Sequence, residues 1–247
     1  MAVREFDRFA ESYGRYNLIQ RKVARRLVDW IDEAELGHVI DLGAGSGEVL
    51  ANLRRRGLTF KSFIAADLSE NMLRLHPAGE KLRKLIVDFN DPHSLCKLQE
   101  IECDTLLSSS ALQWSHTPEK TFGTLATLGR VAYFSIFTSG TFRTLLQTAG
   151  LESPIHDRER IHTALKRFYR IDREECIEYR LQFESALEMF RYIKRSGVSG
   201  GDARLDYRKM KTLMREYPHD FLEFEVLFYR LIPKTMETEA CIQPLSL

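Results

Sequence analysis

The 247-residue chain lacks any strong imbalance of charge: 36 Lys and Arg stand against 35 Asp and Glu, for a net charge of +1. No global field draws it onto nucleic acid or an anionic membrane, so an electrostatic partner must meet a local patch. It lacks an apolar run long enough to span a bilayer. The opening residues, MAVREFDRFAESYGRY, are charged throughout and hold no apolar stretch of the kind that starts a secretory signal. Cysteine is scarce. Cys96, Cys103, Cys176 and Cys241 match no CxxC or zinc spacing, which predicts reduced thiols, no structural disulfide, no metal and a cytoplasmic setting. Internal repeats and low-complexity linkers are missing as well. What is present is a globular balance of 44% apolar and 29% charged residues, at a length near the upper limit for one hydrophobic core.

The apolar pattern predicts two helices over residues 5–35, broken near Gly14. His38 to Leu42 then reads as a strand buried on both faces, followed at once by glycines and by a helix that Gly57 can end. The rhythm repeats. Strands are expected over 60–66, 85–87, 105–107 and 131–137, with helices from Ser69, from Pro118 and over 141–149. Alternating strands and helices predict a doubly wound parallel α/β sheet. Beyond residue 150 the rhythm breaks. Residues 157–173 read as basic and helical, 176–183 as a strand, 186–194 as a helix and 195–204 as a loop. In 221–231, Phe224, Val226 and Phe228 alternate with Glu223 and Glu225, which fits an antiparallel edge strand.

The chemistry gathers at the strand ends. The first strand runs into Asp41-Leu-Gly43-Ala-Gly45-Ser-Gly47. This differs from the dinucleotide fingerprint, whose glycines admit a pyrophosphate. An acid beside the loop disfavours phosphate and favours a cation; the plain alternative is a tight turn with no ligand. Asp67 ends the second strand about 20 residues after Gly47, where a carboxylate can accept ribose hydroxyls, or simply favour a helix N-terminus. Asp88 and Phe89 close the third strand, where the acid can take an adenine amino group and the ring can pack on the base or on the core. Acids at three consecutive strand ends line the carboxyl edge, where ligands bind in this architecture.

VIDLGAGSGEV, AADLSENML, VDFND and DTLLSSSALQW together resemble the class I S-adenosylmethionine-dependent methyltransferases, over roughly residues 5–150. Phe6, Arg8, Ala10, Tyr13 and Gln20 before the first strand, with ALQW, FTSGTF and FRYIKRSGV later, are similar to the malonyl-acyl-carrier-protein O-methyltransferases of biotin synthesis. Trans-aconitate methyltransferases share parts of that pattern. One departure is the compressed turn Leu128-Gly129-Arg130 before the fifth strand.

The resemblance implies a Rossmann-like sheet of seven strands with a helical cap, in a single methyltransferase domain. Its parts would be lid helices (1–35), a cofactor core (36–150), a cap insertion (151–215), a final strand (216–232) and a tail (233–247). It implies S-adenosylmethionine as cofactor and S-adenosylhomocysteine as product, with Gln20, Asp41, Gly43, Gly45, Gly47, Asp67, Leu68, Asp88, Phe89 and Ser108 at the cofactor. The implied reaction is O-methylation of the free carboxylate of malonyl-acyl carrier protein. Such a carboxylate is already ionised at neutral pH and needs no general base. His116 then reads as a surface histidine rather than a base.

A buried carboxylate needs hydrogen-bonding or cationic partners. Tyr13 and Trp114 are candidates at the reacting centre, and Tyr16, Arg8 and Lys194 for holding the substrate. The alternatives are a packed aromatic for Tyr13 and solvated charge for Arg8 and Lys194. An acidic carrier protein would suit a basic patch, for which Arg158, Arg160, Lys166, Arg167, Arg170 and Arg173 form the densest stretch; an ordinary solvated face is the alternative. No nucleic acid and no membrane is expected as partner. The rival functions are a small-acid methyltransferase of trans-aconitate type and a cofactor-binding protein without catalysis.

Overall fold

The computed structural model describes residues 17–196 and 213–234. The first expected helix, with Arg8, Tyr13 and Tyr16, lies outside that range, as does Cys241. Cys96, Cys103 and Cys176 are free thiols. Among the described residues no helix is long and apolar enough to cross a membrane.

The second expected helix is α1, Leu18–Asp29. There follow β1 (His38–Leu42), α2 (Glu48–Arg55), β2 (Ser62–Asp67), α3 (Glu70–Leu75), β3 (Leu82–Ile86) and α4 (Pro92–Cys96). Then come β4 (Thr105–Ser109), a single turn of 3-10 helix at Leu112–Trp114, α5 (Pro118–Leu125), β5 (Val131–Phe137) and α6 (Arg143–Ala149). The chain continues with α7 (Arg158–Phe168), β6 (Tyr169–Gln182), α8 (Ala186–Ser196) and β7 (Phe221–Pro233). Short α4 escaped the sequence reading; it starts where the Asp91 side chain accepts from the His93 N–H and Pro92 takes the first helical position.

The strands form one seven-stranded sheet in the order β3-β2-β1-β4-β5-β7-β6. β1 to β5 are parallel, and β7 runs antiparallel to both β5 and β6. Two apolar layers cover the sheet. One gathers Val23 and Leu27 of α1, Leu50 and Leu53 of α2, Phe63 and Phe224. The other gathers Phe122 and Leu125 of α5, Ile161 and Leu165 of α7, Ile40 and Phe134. The parallel strands are near-continuous apolar runs because both their faces meet helices.

Two expectations change. β7 is no edge strand: it lies between β5 and β6, and β6 is the edge. Its alternation is real on one face only, since Leu227, Tyr229 and Leu231 bury the other face in the second layer. The second change concerns residues 157–173, which are helical only to Phe168. β6 starts at the next residue and carries a register shift between Ile171 and Arg173. Before the shift Tyr169 and Ile171 face the second layer; after it Ile177, Tyr179 and Leu181 face the first. The extra residue reverses the phase of the alternation, so the period-2 signal of one long strand cancels itself in the sequence.

Glu223 shows what the buried acids of β7 do. Its carbonyl accepts from the Phe142 N–H at 2.8 Å and its carboxylate accepts from the Thr144 N–H at 2.5 Å, at the start of α6. The Tyr217 hydroxyl donates to it at 3.3 Å. Phe142 has a left-handed backbone, φ +56°, a strained conformation for a bulky residue that these bonds hold in place. Burial alone would raise the Glu223 pKa, but the bonds from Thr144 and Tyr217 outweigh it and leave it below the ordinary value. A lowered acid stabilises the fold above its unfolded pKa, and that contribution disappears as pH falls through the acid range. Glu223→Ala should cost about 1–3 kcal/mol in urea unfolding at pH 7. The gap to the wild type should narrow below about pH 4; a gap that stays constant down to pH 3 would show that the ionised carboxylate is not what holds α6.

Candidate active site

The site grows from the junction of β1 and β2. The backbone N–H groups of Gly43 and Ala44 donate to the Ala66 carbonyl at 2.7 and 3.1 Å. The Asp67 carboxylate accepts from the Gly45 N–H and the Ser69 N–H, each at 2.8 Å. Ser69 in turn caps α3, its hydroxyl accepting from the Met72 N–H at 3.1 Å. Glycine is required at two points of the loop. At Gly43, φ +75°, a Cβ would lie 2.2 Å from the Ala111 Cβ; at Gly47, φ +97°, it would lie 2.7 Å from the Pro77 Cδ.

Around this loop opens a cleft with about 1020 Å³ of space, part of it open to solvent. Gln20, Gly43, Gly45, Asp67 and Leu68 line it, and so do Asp88, Phe89 and Trp114. The spacing of the motifs thus brings most of the expected residues together. Gly47 stands behind the wall and serves the turn into α2. Of the expected substrate and catalytic residues, Trp114 alone has a described side chain: Arg8, Tyr13 and Tyr16 precede the described residues, and the Lys194 side chain lies outside them.

Two expected cofactor residues are corrected. Ser108 is fully buried and its hydroxyl donates to the Leu42 carbonyl at 2.7 Å, which ties β4 to β1. It is Ser109 and Ser110 that line the cleft. Asp41 is also fully buried and is not part of the cleft wall; among the described residues neither of its carboxylate oxygens has a hydrogen-bond partner. Burial, with the nearby charge of Asp67, pushes its pKa up to about 8. Asp41 can therefore act on a ligand only through its field.

The sequence reading missed several lining residues. Asn17, Ser110 and Asn90 belong to the wall. Asn90 is a strut: its amide donates to the Trp114 carbonyl at 3.2 Å, its side-chain oxygen accepts from the His116 N–H at 2.8 Å, and its own N–H donates to Asp88 at 2.8 Å. The signal was available, since Asn90 follows VDF directly and Ser110 ends a run of three serines. Ser110 has a positive φ of 60°, a strain that concentrates at functional sites. Among the described residues, four polar atoms of the lining are buried without a partner: Asn17 Oδ1, Gln20 Oε1, Ser110 Oγ and Trp114 Nε1. Buried polar atoms without partners are costly, and this set offers acceptors for an ammonium beside a donor for an oxygen. Together with the acids at the ends of β2 and β3, it fits S-adenosylmethionine. His116 is exposed, as expected.

The expected carrier patch does not form one surface. α7 starts at the carboxyl edge, where His156 bonds to the Ser115 carbonyl at 2.8 Å, and ends at the amino edge, where the Lys234 N–H reaches the Phe168 carbonyl. Arg158 and Arg160 are thus near the cleft edge, while Lys166, Arg167, Arg170 and Arg173 are at the opposite one. The end of the stretch also changes face. Arg160 lies 3.7 Å from Glu119 of α5, whereas the Arg173 guanidinium stacks 4.1 Å over the ring of Trp30, which packs in the α1 layer. A helix that passes straight into a strand carries its cations away from the cleft.

Charge-assisted hydrogen bonds contribute about 1.5–3 kcal/mol, so Asp67→Ala should weaken S-adenosylmethionine binding about tenfold or more. Calorimetric titration checks this, and an unchanged Kd would end the assignment. Asp41 makes a second expectation. Its folded pKa is raised, so the unfolded chain gives up the proton first, and stability should decline as pH rises from about 4 to 8. A cation in the cleft favours the ionised form, so cofactor binding at pH 7 should release a proton. Calorimetry in buffers of different ionisation enthalpy counts it; Asp41→Asn should abolish the release and flatten the decline.

Residues 40–130 match the family model described as a methyltransferase domain. A malonyl-[acyl-carrier protein] O-methyltransferase of a Marinomonas species is 26% identical over 234 residues, covering 87% of this chain and 84% of the relative. One from Chlorobium phaeovibrioides is 28% identical over 233 residues, covering 87% and 86%. Among solved structures, a Haloferax volcanii complex of the Trm112 methyltransferase activator with a methyltransferase aligns with a TM-score of 0.61 at 16% identity, over 94% of this chain and 97% of that one. The motif-bearing loop, the sheet order and these relatives agree: residues 40–130 match a methyltransferase domain on a methyltransferase-like fold, and the chain is similar to the malonyl-acyl-carrier-protein O-methyltransferases.

Proposed function

We propose that the chain methylates the free carboxylate of a malonyl thioester carried by an acyl carrier protein, an early step of biotin synthesis. One observation carries the reading beyond the relatives' names: among the described lining residues the titratable groups are Glu48, Asp67 and Asp88, all carboxyl groups. Among the described lining residues no histidine, lysine, tyrosine or cysteine stands ready to take a proton from an alcohol, amine or thiol. An ionised oxygen needs no such base.

When bound, S-adenosylmethionine supplies a sulfonium methyl that an ionised oxygen can take directly, leaving S-adenosylhomocysteine and a methyl ester. Asp67 and Asp88 hold the nucleoside, and Phe89 packs beside it. Asn17 and Gln20 offer acceptor oxygens to the amino-acid end. Trp114 Nε1 and Ser110 Oγ are the donors that orient the incoming carboxylate, and Asn90 holds the Trp114 segment in place. Tyr13, Tyr16, Arg8 and Lys194 remain candidates for completing that pocket. Positioning of this kind is worth about 7–11 kcal/mol of barrier.

Incubation with labelled S-adenosylmethionine, malonyl-acyl carrier protein and a panel of small acids, followed by mass measurement, tests the reading. The carrier should gain one methyl group; transfer to trans-aconitate alone would favour the small-acid alternative. With both substrates saturating, the rate of the chemical step should be nearly flat from about pH 6 to 8, above the carboxylate range. A rise of slope one across neutrality would demand a titrating base and remove the argument from the preformed nucleophile.

A further inference from the structure

We infer that the outer face of α1 is the surface on which an acidic protein docks to present the acyl substrate, an inference that rests on the carrier-bound reading above. α1 reads LIQRKVARRLVD. Leu18 stands three and four residues before Arg21 and Lys22, and Arg25 four and three residues after them, so the four share one face. All four are exposed, while Ile19, Val23 and Leu27 opposite them are fully buried. The stripe holds no acid until Asp29 at the end of the helix, and that carboxylate is paired with Arg55 at 3.1 Å. Arg21 approaches Glu48 at 3.6 Å. Among the described residues, Lys22 and Arg25 enter no ion pair.

Position gives the stripe its meaning. Asn17, Gln20 and Ala24, on the neighbouring side of the same helix, line the cleft. A partner lying along Leu18, Arg21 and Lys22 therefore sits beside the cleft mouth, and a substrate tethered to it has a short path inward. Leu18, 42% exposed, adds an apolar anchor at the cleft end of the stripe.

Several other arginines are engaged or remote. Arg56 donates to the carbonyls of Val28 and Ile31, which closes the end of α1, and Lys166 and Arg167 lie at the far edge of the sheet. Charge complementarity selects the occupant. A second copy docked by the same face would set cations against cations, whereas an acidic protein surface matches them.

Lys22→Glu with Arg25→Glu tests the inference against Lys166→Glu with Arg167→Glu as the control. Neither pair belongs to the cleft. With malonyl-acyl carrier protein as substrate at low salt, the α1 reversal should raise KM on the order of tenfold. kcat, S-adenosylmethionine affinity and thermal midpoint should be unchanged. The defect should shrink as salt shortens the screening length to about 8 Å, and the control should behave like the wild type. Unchanged KM in the α1 variant, or an equal rise in the control, overturns the docking face while leaving the methylation reading intact. A loss of binding to anionic vesicles with carrier kinetics untouched also overturns it, in favour of a membrane. If the wild type neither methylates nor binds the carrier, the functional reading itself falls and takes this inference with it.

Discussion

The Asp67 carboxylate is the tie on which the cleft depends. One side chain at the end of β2 accepts from the Gly45 N–H in the glycine loop and from the Ser69 N–H at the start of α3. It thereby joins β1, β2 and the next helix in one corner. A loop with three positive φ angles at Gly43, Gly45 and Gly47 has no regular pairing of its own, and its backbone donors must find partners elsewhere. Asp67 and the Ala66 carbonyl provide them. The same arrangement sets two acids close together, and the deeper one bears the consequence: Asp41, buried and unpaired, is pushed towards neutrality. The site thus keeps a buried acid with a perturbed pKa behind the glycine loop, a combination common at functional sites.

Elsewhere in the sheet several buried acids are paired, although the Tyr169 and Tyr179 hydroxyls of β6 have no hydrogen-bond partner among the described residues. Glu223 closes the start of α6, and Glu225 accepts from the Thr138 hydroxyl. At the amino edge, Arg230 donates to Tyr133 at 3.0 Å, to Glu33 at 2.9 Å and to Asp172 at 2.5 Å, binding β5, β6 and β7 to the segment after α1. His38, Glu102 and Asp104 also meet at that edge, where Asp104 accepts the His38 N–H at 2.9 Å and faces Arg130 at 3.5 Å. These groups are satisfied by one another. In the cleft, by contrast, unpartnered atoms gather on Asn17, Gln20, Ser110 and Trp114. The paired network holds the fold, and the unpartnered atoms that share the cleft wall are free to meet a ligand.

Much of this was legible in the sequence. Strand β5 and the helix starts at Ser69 and Pro118 stand where apolar runs and capping residues put them. Seven of the expected cofactor positions, Gln20, Gly43, Gly45, Asp67, Leu68, Asp88 and Phe89, line one cleft. Apart from Gln20 on α1, these follow from local demands: a strand end or a tight glycine turn. Ser108 was misread because strand alternation turns its hydroxyl to Leu42, and adjacent residues of a strand point to opposite faces. β6 was half missed because its bulge reverses that alternation midway.

What the sequence by itself determined is therefore the set of elements, the glycine loop and the acids at the strand ends, since these are properties of neighbouring residues. Only the tertiary structure decided which charges surround the cleft. The cations of 158–173 looked like one patch because they are close in the chain. α7 and β6 carry them to both edges and both faces of the sheet. The quieter stripe of α1 stands beside the cleft because that helix crosses the sheet with its first turn at the carboxyl edge. Electrostatic attraction acts through space within about 8 Å at physiological salt, and proximity in space is set by the direction in which each element runs, which no stretch of sequence records.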